Sequence, residues 1–219
     1  MNVLVLQPVN PKHATARRAD GVALAEVAAQ LLARLPDANP GMTFDIRRDA
    51  AAVPVPPSPS LYARHAAVRN YMLDTYLAEH HTHVLWVDSD LVDYPADLPT
   101  LLNAANPGGI AAPLALLDKC GPRFYDIGGF IEGGRRFPMA PPYSLQRGPV
   151  WELDSVGCLY LAPAWLYQAG VRYAPPPTDY YVEHWSVMAA ARARGVRIVA
   201  LADVVALHAW LPEFGLPLN

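Results

Sequence analysis

Val84-Leu85-Trp86-Val87-Asp88-Ser89-Asp90 runs four apolar residues directly into an acidic triplet. An uninterrupted apolar run of this length, bounded by polar residues, reads as a strand buried on both faces. The aspartates end it, because a carboxylate is not left unpaired inside a core. In extended chain alternate side chains share a face, so Asp88 and Asp90 point the same way. They stand just past the C-terminal end of the strand, where open α/β sheets bind their ligands.

The flanking segments predict what surrounds this strand. Val3–Leu6 is a short buried strand stopped by Gln7-Pro8. Residues 20–35 carry apolar positions at helical spacing, with Asp20 or a neighbour as cap. Thr43–Arg47 predicts a second strand, and the prolines within 54–59 a loop. Residues 60–79 predict a helix capped by Ser60. Past the triplet, a proline loop leads to a helix over 96–105 and a strand over 109–112. This alternation predicts an α/β fold with a mainly parallel central sheet and helices on both faces. The second half is less regular and predicts a smaller antiparallel, loop-rich region. Residues 124–137 resemble a hairpin with a Gly-Gly turn. Residues 154–162 read as a strand, 163–169 and 181–194 as helices, and 196–200 and 204–208 as strands. The whole, 1–219, is expected to be one domain, with a donor-binding half over 1–118 and an acceptor-binding half over 119–219.

Composition narrows the class. Apolar residues make up 53% of the 219, enough for a full core. A formal net charge of -3 gives no global signal for nucleic acid or an anionic membrane. Two cysteines, Cys120 and Cys158, are too few for a disulfide framework and lack zinc-site spacing. No stretch approaches about 18 apolar residues, so no transmembrane segment and a reduced, cytoplasmic setting are expected. Neither a P-loop nor a G-x-G-x-x-G is present.

Chemistry points first to a cation. Paired hard oxygen ligands suit Mg²⁺ or Mn²⁺, which keep coordination positions for phosphate oxygens. His208 closes a strand far downstream and is a candidate third ligand. The plain alternative is an Asp-rich turn after a strand. His80, His81 and His83 are expected to be solvated, and Trp86 to lie in the core. Tyr180, Tyr181 and Trp185 suit either stacking on a sugar or base, or ordinary packing. Lys119, Arg123, Arg135, Arg136 and Arg147 cluster in sequence and suit either a solvated surface or acceptor phosphates, a nucleic-acid backbone included.

The order of these motifs resembles glycosyltransferases of the GT-A type, and most nearly the fungal Anp1/Mnn9 mannosyltransferase family. The resemblance rests on Arg69-Asn70-Tyr71-Met72-Leu73, the Val84–Asp90 run, Phe124-Tyr125-Asp126-Ile127, Leu153-Asp154-Ser155-Val156-Gly157, Tyr181–Trp185 and His208. It implies a metal held by Asp90 and His208, with Asp88 facing the ribose or a metal-bound water. It implies a UDP- or GDP-linked sugar donor contacted by Gln7, Pro8, Val9, Arg69, Asp88, Ser89 and Asp90. It places Asp154 and Glu183 near the sugar and acceptor, with Glu183 as a catalytic base, although Glu183-His184 stands where relatives often carry an acidic pair. Tyr125, Asp126 and Trp185 would meet the acceptor. The family likeness also implies GDP-mannose and retention, but loops outside these motifs set donor choice. The expected reaction is metal-dependent transfer of a sugar to a hydroxyl of a glycan, a small metabolite or a modified nucleic-acid base. A nucleotide-sugar-binding module without turnover and a nucleotidyltransferase are the alternatives. The latter usually needs a glycine-rich phosphate loop, and residues 7–15 hold no glycine.

Overall fold

A computed structural model describes residues 1–9, 16–18, 21–49, 60–178 and 180–209. The expected cap Asp20 and the proline loop at 54–59 lie outside the described residues. The strands are β1 (Asn2–Pro8), β2 (Thr43–Asp49), β3 (His83–Val87), β4 (Leu91–Asp93), β5 (Ile110–Leu117), β6 (Ile131–Glu132), β7 (Arg135–Arg136), β8 (Val150–Glu152), β9 (Leu159–Pro163) and β10 (Ile198–His208). The helices are α1 (Leu24–Ala33), α2 (Leu35–Ala38), α3 (Leu61–Tyr76), α4 (Leu98–Ala105), α5 (Ala164–Gln168) and α6 (His184–Arg192).

The main sheet runs β2-β1-β3-β9-β5-β10-β4, with β8 also on β10. β1 pairs in parallel with β2 and β3, and β5 with β10. β9 lies antiparallel between β3 and β5, so β2, β1, β3, β5 and β10 all run one way. Their C-terminal ends share one edge. The fold is thus mixed α/β with a mostly parallel sheet, GT-A-like in its antiparallel insertion. From β1 the chain steps to β2 on one side, then returns past β1 to β3. Right-handed crossovers therefore place the two connections on opposite faces.

Local chemistry accounts for most boundaries. Val3–Leu6 and Val84–Val87 are buried throughout, as runs covered on both faces must be. Ser60 caps α3, its Oγ accepting from Ala63 N at 3.3 Å. Pro36 closes off the first helix: α1 stops at Ala33 and α2 begins anew at Leu35. The β6–β7 hairpin turns on Gly133 (φ 54°) and Gly134 (φ 76°), the two positive dihedrals that a tight two-residue turn requires.

Three expectations shift. The strand expected from Asp154 begins only at Leu159, because Cys158 sits at φ 47° and breaks the extended run. Residues 196–200 and 204–208 belong to one strand, β10, interrupted by a bulge between Leu201 and Val205. The bulge lies opposite Pro113, which has no N–H for the ladder. β4 was not expected; it folds the chain after the triplet back onto the end of β10. Among the described residues no helix is long and apolar enough to cross a membrane.

Candidate active site

The common strand edge gathers the acidic triplet. Asp88 and Asp90 follow β3, while His208 ends β10 beside Leu117, the last residue of β5. β4 closes the gap: His208 pairs with Leu91, and Ala209 N donates to Asp90 O at 2.8 Å. One ligand atom each from Asp88, Asp90 and His208 lie within 4.8 Å of one another. Asp90 and His208 are buried and Asp88 is half-buried. Ser89, between the aspartates, is buried too.

The donor set could hold a cation. His208 Nδ1 lies 3.1 Å from Ala209 O, and a carbonyl only accepts, so Nδ1 carries hydrogen. A neutral ring then turns its Nε2 lone pair toward Asp90 Oδ1, 2.8 Å away. Two electron-pair donors at that distance require positive charge between them, a proton or a metal. Burial works against a charged His208, yet Asp90 outweighs it and the imidazole pKa rises. Burial pushes the Asp88 carboxyl up, Arg69 opposes that, and Asp90 adds to it. The Tyr125 ring stacks on His208, centroids 3.4 Å apart and 15° from parallel, and holds the imidazole flat.

A buried cation adjoins this group. Arg69 lies on the inward stripe of α3 with Ala66, Met72 and Leu73. Its Nη2 donates to Asp88 Oδ1 at 2.9 Å and its Nε to Glu183 Oε1 at 3.1 Å. Trp86 and Tyr173 flank the guanidinium, 5.0 and 5.7 Å from its carbon. Asn70 clamps the Tyr173 backbone, Nδ2 to the carbonyl at 2.9 Å and Oδ1 to the N–H at 2.8 Å. Glu183 is 3% exposed; burial alone would raise its pKa, but the His65 and Arg69 nitrogens beside its two oxygens hold it below the usual carboxylate range. Burial, reinforced by Arg69, lowers His184 to about 3, so its ring is neutral. Arg69 Nη2 approaches His184 Nε2 at 3.3 Å; arginine only donates, so the ring hydrogen sits on Nδ1, 3.4 Å from Tyr160 Oη.

Asp126 is a different carboxylate. Its Oδ1 accepts from Gly129 N at 2.9 Å, and among the described residues no cation pairs with it. A Cβ on Gly157 would lie 2.0 Å from its Oδ2, and one on Gly129 2.2 Å, so both glycines make room for it. Burial, with the charge of Asp88 added, pushes it up to about 7. Nothing in the sequence around Asp126 announces this state; the signal is the paired glycines, at 129 and 157, which only folding brings together.

The other expected residues are placed as follows. Gln7 is buried, its Oε1 receiving Arg48 Nε at 2.7 Å, and Pro8 and Val9 continue to the edge that bears Asp88. Asp154 is held by Arg192 and by Gly134 N at 2.7 Å, beside the hairpin rather than the metal group. Trp185 stacks between Tyr181, 4.3 Å away, and Arg192. Arg136 lies over Tyr180 at 4.4 Å. His81, expected in solvent, is buried and accepts from Ala78 N at 3.0 Å, because its ring closes the turn into β3.

No protein-family model matches the chain, and no curated protein matches it in sequence. Solved structures match in fold. S. aureus TarS in complex with UDP-GlcNAc has a TM-score of 0.54 at 13% identity, covering 96% of this chain and 59% of that one. UDP-glucose pyrophosphorylase complexed with UDP-glucose has a TM-score of 0.54 at 9% identity, covering 94% and 92%. A mutant Drosophila β1,4-galactosyltransferase 7 in complex with manganese, UDP-Gal and xylobiose has a TM-score of 0.52 at 10% identity, covering 100% and 75%. At such identities the likeness carries the fold.

Proposed function

We propose that the protein is a metal-dependent glycosyltransferase that moves a sugar from a nucleotide-sugar donor to a hydroxyl acceptor. The observation that supports it most is the Asp88–Asp90–His208 group, collected at the C-terminal edge of a GT-A-like sheet. Two carboxylates and an imidazole fit Mn²⁺ better than Mg²⁺, which favours all-oxygen sites. A bound cation supplies positive charge against the departing nucleoside diphosphate. The chain's own residues do the rest in this reading. Gln7, Pro8 and Val9 form the nucleobase side, Ser89 lies with the aspartates along the donor, and Arg69 steadies Asp88. Tyr125 keeps His208 in plane. Asp126, whose carboxyl burial and the charge of Asp88 push up to about 7, is suited to take or share the proton of the acceptor hydroxyl. Trp185 belongs to the acceptor side, and Asp154 supports it through Arg192. The motif order favours an Anp1/Mnn9-like enzyme, with residues 1–118 and 119–219 as donor and acceptor halves of one domain.

The fold shared with UDP-glucose pyrophosphorylase makes nucleotidyl transfer the second reading. The absence of glycine from residues 7–15 weighs against it. The test is incubation with a panel of UDP- and GDP-sugars and Mn²⁺. Release of UDP or GDP supports sugar transfer; release of UMP or GMP, or pyrophosphate-dependent triphosphate formation, supports the second reading. Nucleoside diphosphate binding that is indifferent to Mn²⁺ would sink both.

A further inference from the structure

Glu183 opens α6 where the family resemblance would put a catalytic base. Its surroundings suit other work. The side chain is 3% exposed, and both oxygens face cationic or imidazole nitrogens: Oε1 meets Arg69 Nε at 3.1 Å, Oε2 meets His65 Nδ1 at 3.8 Å. A general base must reach the hydroxyl it deprotonates. Arg69, in turn, is a planar fork with one arm on Glu183 and another on Asp88, at 2.9 Å. Trp86 and Tyr173 place their rings over the fork, at 5.0 and 5.7 Å. Orienting one end of such a planar group orients the other.

We propose that Glu183 is a positioning residue, acting through Arg69 to set the Asp88 carboxylate for the metal. This rests on the metal reading above. Partners behind the ligands commonly govern metal affinity by about 10–100-fold. The geometry therefore couples α6, on the acceptor side of the chain, to the donor-side metal group. An acceptor that disturbed the start of α6 would alter cation affinity, and cation binding would steady the start of α6, because such coupling is reciprocal.

The experiment is Mn²⁺ titration, followed by electron paramagnetic resonance, of the full chain and of Glu183→Ala, Glu183→Gln, Arg69→Met and the double variant Arg69→Met/Glu183→Leu. A thermal melt accompanies each. Glu183→Ala is expected to weaken Mn²⁺ binding about tenfold or more. Glu183→Gln, which still accepts from Arg69, recovers affinity to within about threefold of the parent. The double variant is no weaker than Arg69→Met, because two links of one chain do not add. It also removes both buried charges together and keeps the test alive if Glu183→Ala does not fold. Parent-like Mn²⁺ affinity in Glu183→Ala, or in the double variant, overturns the inference alone. So does a Glu183→Gln protein that binds Mn²⁺ normally but loses a donor turnover that the parent has, since that marks a base. A parent chain that binds no Mn²⁺ overturns the metal reading itself, and this inference with it.

Discussion

The two ends of the main sheet are built from similar residues and do different things. At the N-terminal edge of β1, β2 and β3, three of the hydrogen bonds join neutral donors to neutral acceptors. Asn2 N donates to Thr82 Oγ1 at 3.0 Å, Thr43 Oγ1 to Asn2 Oδ1 at 2.7 Å, and Ala78 N to His81 Nδ1 at 3.0 Å. Such an edge closes turns and adds stability, about 1 kcal/mol per bond. At the C-terminal edge Asp88, Asp90 and Asp126 crowd together, and their burial is a cost. Arg69 and His208 offset only part of it. Buried polar groups that satisfy one another mark structure, and buried charges left in surplus mark a place for a ligand.

The sharpest attempt to break this contrast is Asp90→Ala. It should weaken Mn²⁺-dependent UDP or GDP binding by more than about 100-fold, measured calorimetrically with and without Mn²⁺, because a direct ligand is lost. Diphosphate binding that stays Mn²⁺-dependent and tight would show that the charged edge does not hold the cation.

Gly157→Ala comes next. Its Cβ would meet the Asp126 carboxylate at 2.0 Å, so the side chain or backbone must shift. We expect a loss of about 1–3 kcal/mol in urea unfolding and a fall in donor turnover of about 100-fold, with Mn²⁺ affinity within about threefold of the parent. Unaltered turnover would remove Asp126 from the reaction.

Acid pH tests whether the charged edge weakens the fold. His184 has its folded pKa at about 3, below an unfolded value of 6.5. Between those values the unfolded chain binds a proton that the folded chain refuses, so stability is lost as pH falls from about 6.5 toward 3. Glu183, also depressed, adds loss in the same direction once pH drops below 4.5. Melting temperature measured from pH 7 to 5 should fall more steeply in the parent than in His184→Gln. Equal slopes would mean that His184 is not buried neutral.

The smallest effect belongs to the other edge. His81→Phe removes the acceptor for Ala78 N and should cost about 1 kcal/mol, leaving Mn²⁺-dependent diphosphate binding unchanged. A change in that binding would mean the two edges are coupled after all.

How much of this could be read beforehand depends on range. β1, β3, α3 and the Ser60 cap follow from local apolar runs and one side-chain bond, and they stand where the sequence puts them. That Asp88, Asp90 and His208 would come together, as they do within 4.8 Å, was also legible, because they follow or end strands. Arg69 carried a signal that spacing alone exposes: it falls on the same helical stripe as Ala66 and Met72, where a cation must find partners. β4 was illegible, since three residues gain their strand only by pairing with β10 more than a hundred residues later. The state of Asp126 was illegible too, since it depends on Gly157 lying against it.

The chain by itself determined the α/β alternation, the buried strand ahead of Asp88 and the acids that follow, because hydrophobic period and the cost of bare charge act within a few residues. Tertiary structure alone decided which of those acids keep a partner. Glu183 is clamped by Arg69, Asp154 by Arg192, and Asp126 by no cation among the described residues. Those pairings join residues far apart in sequence, and a carboxylate's chemistry is set by what folding brings within about 4 Å of it.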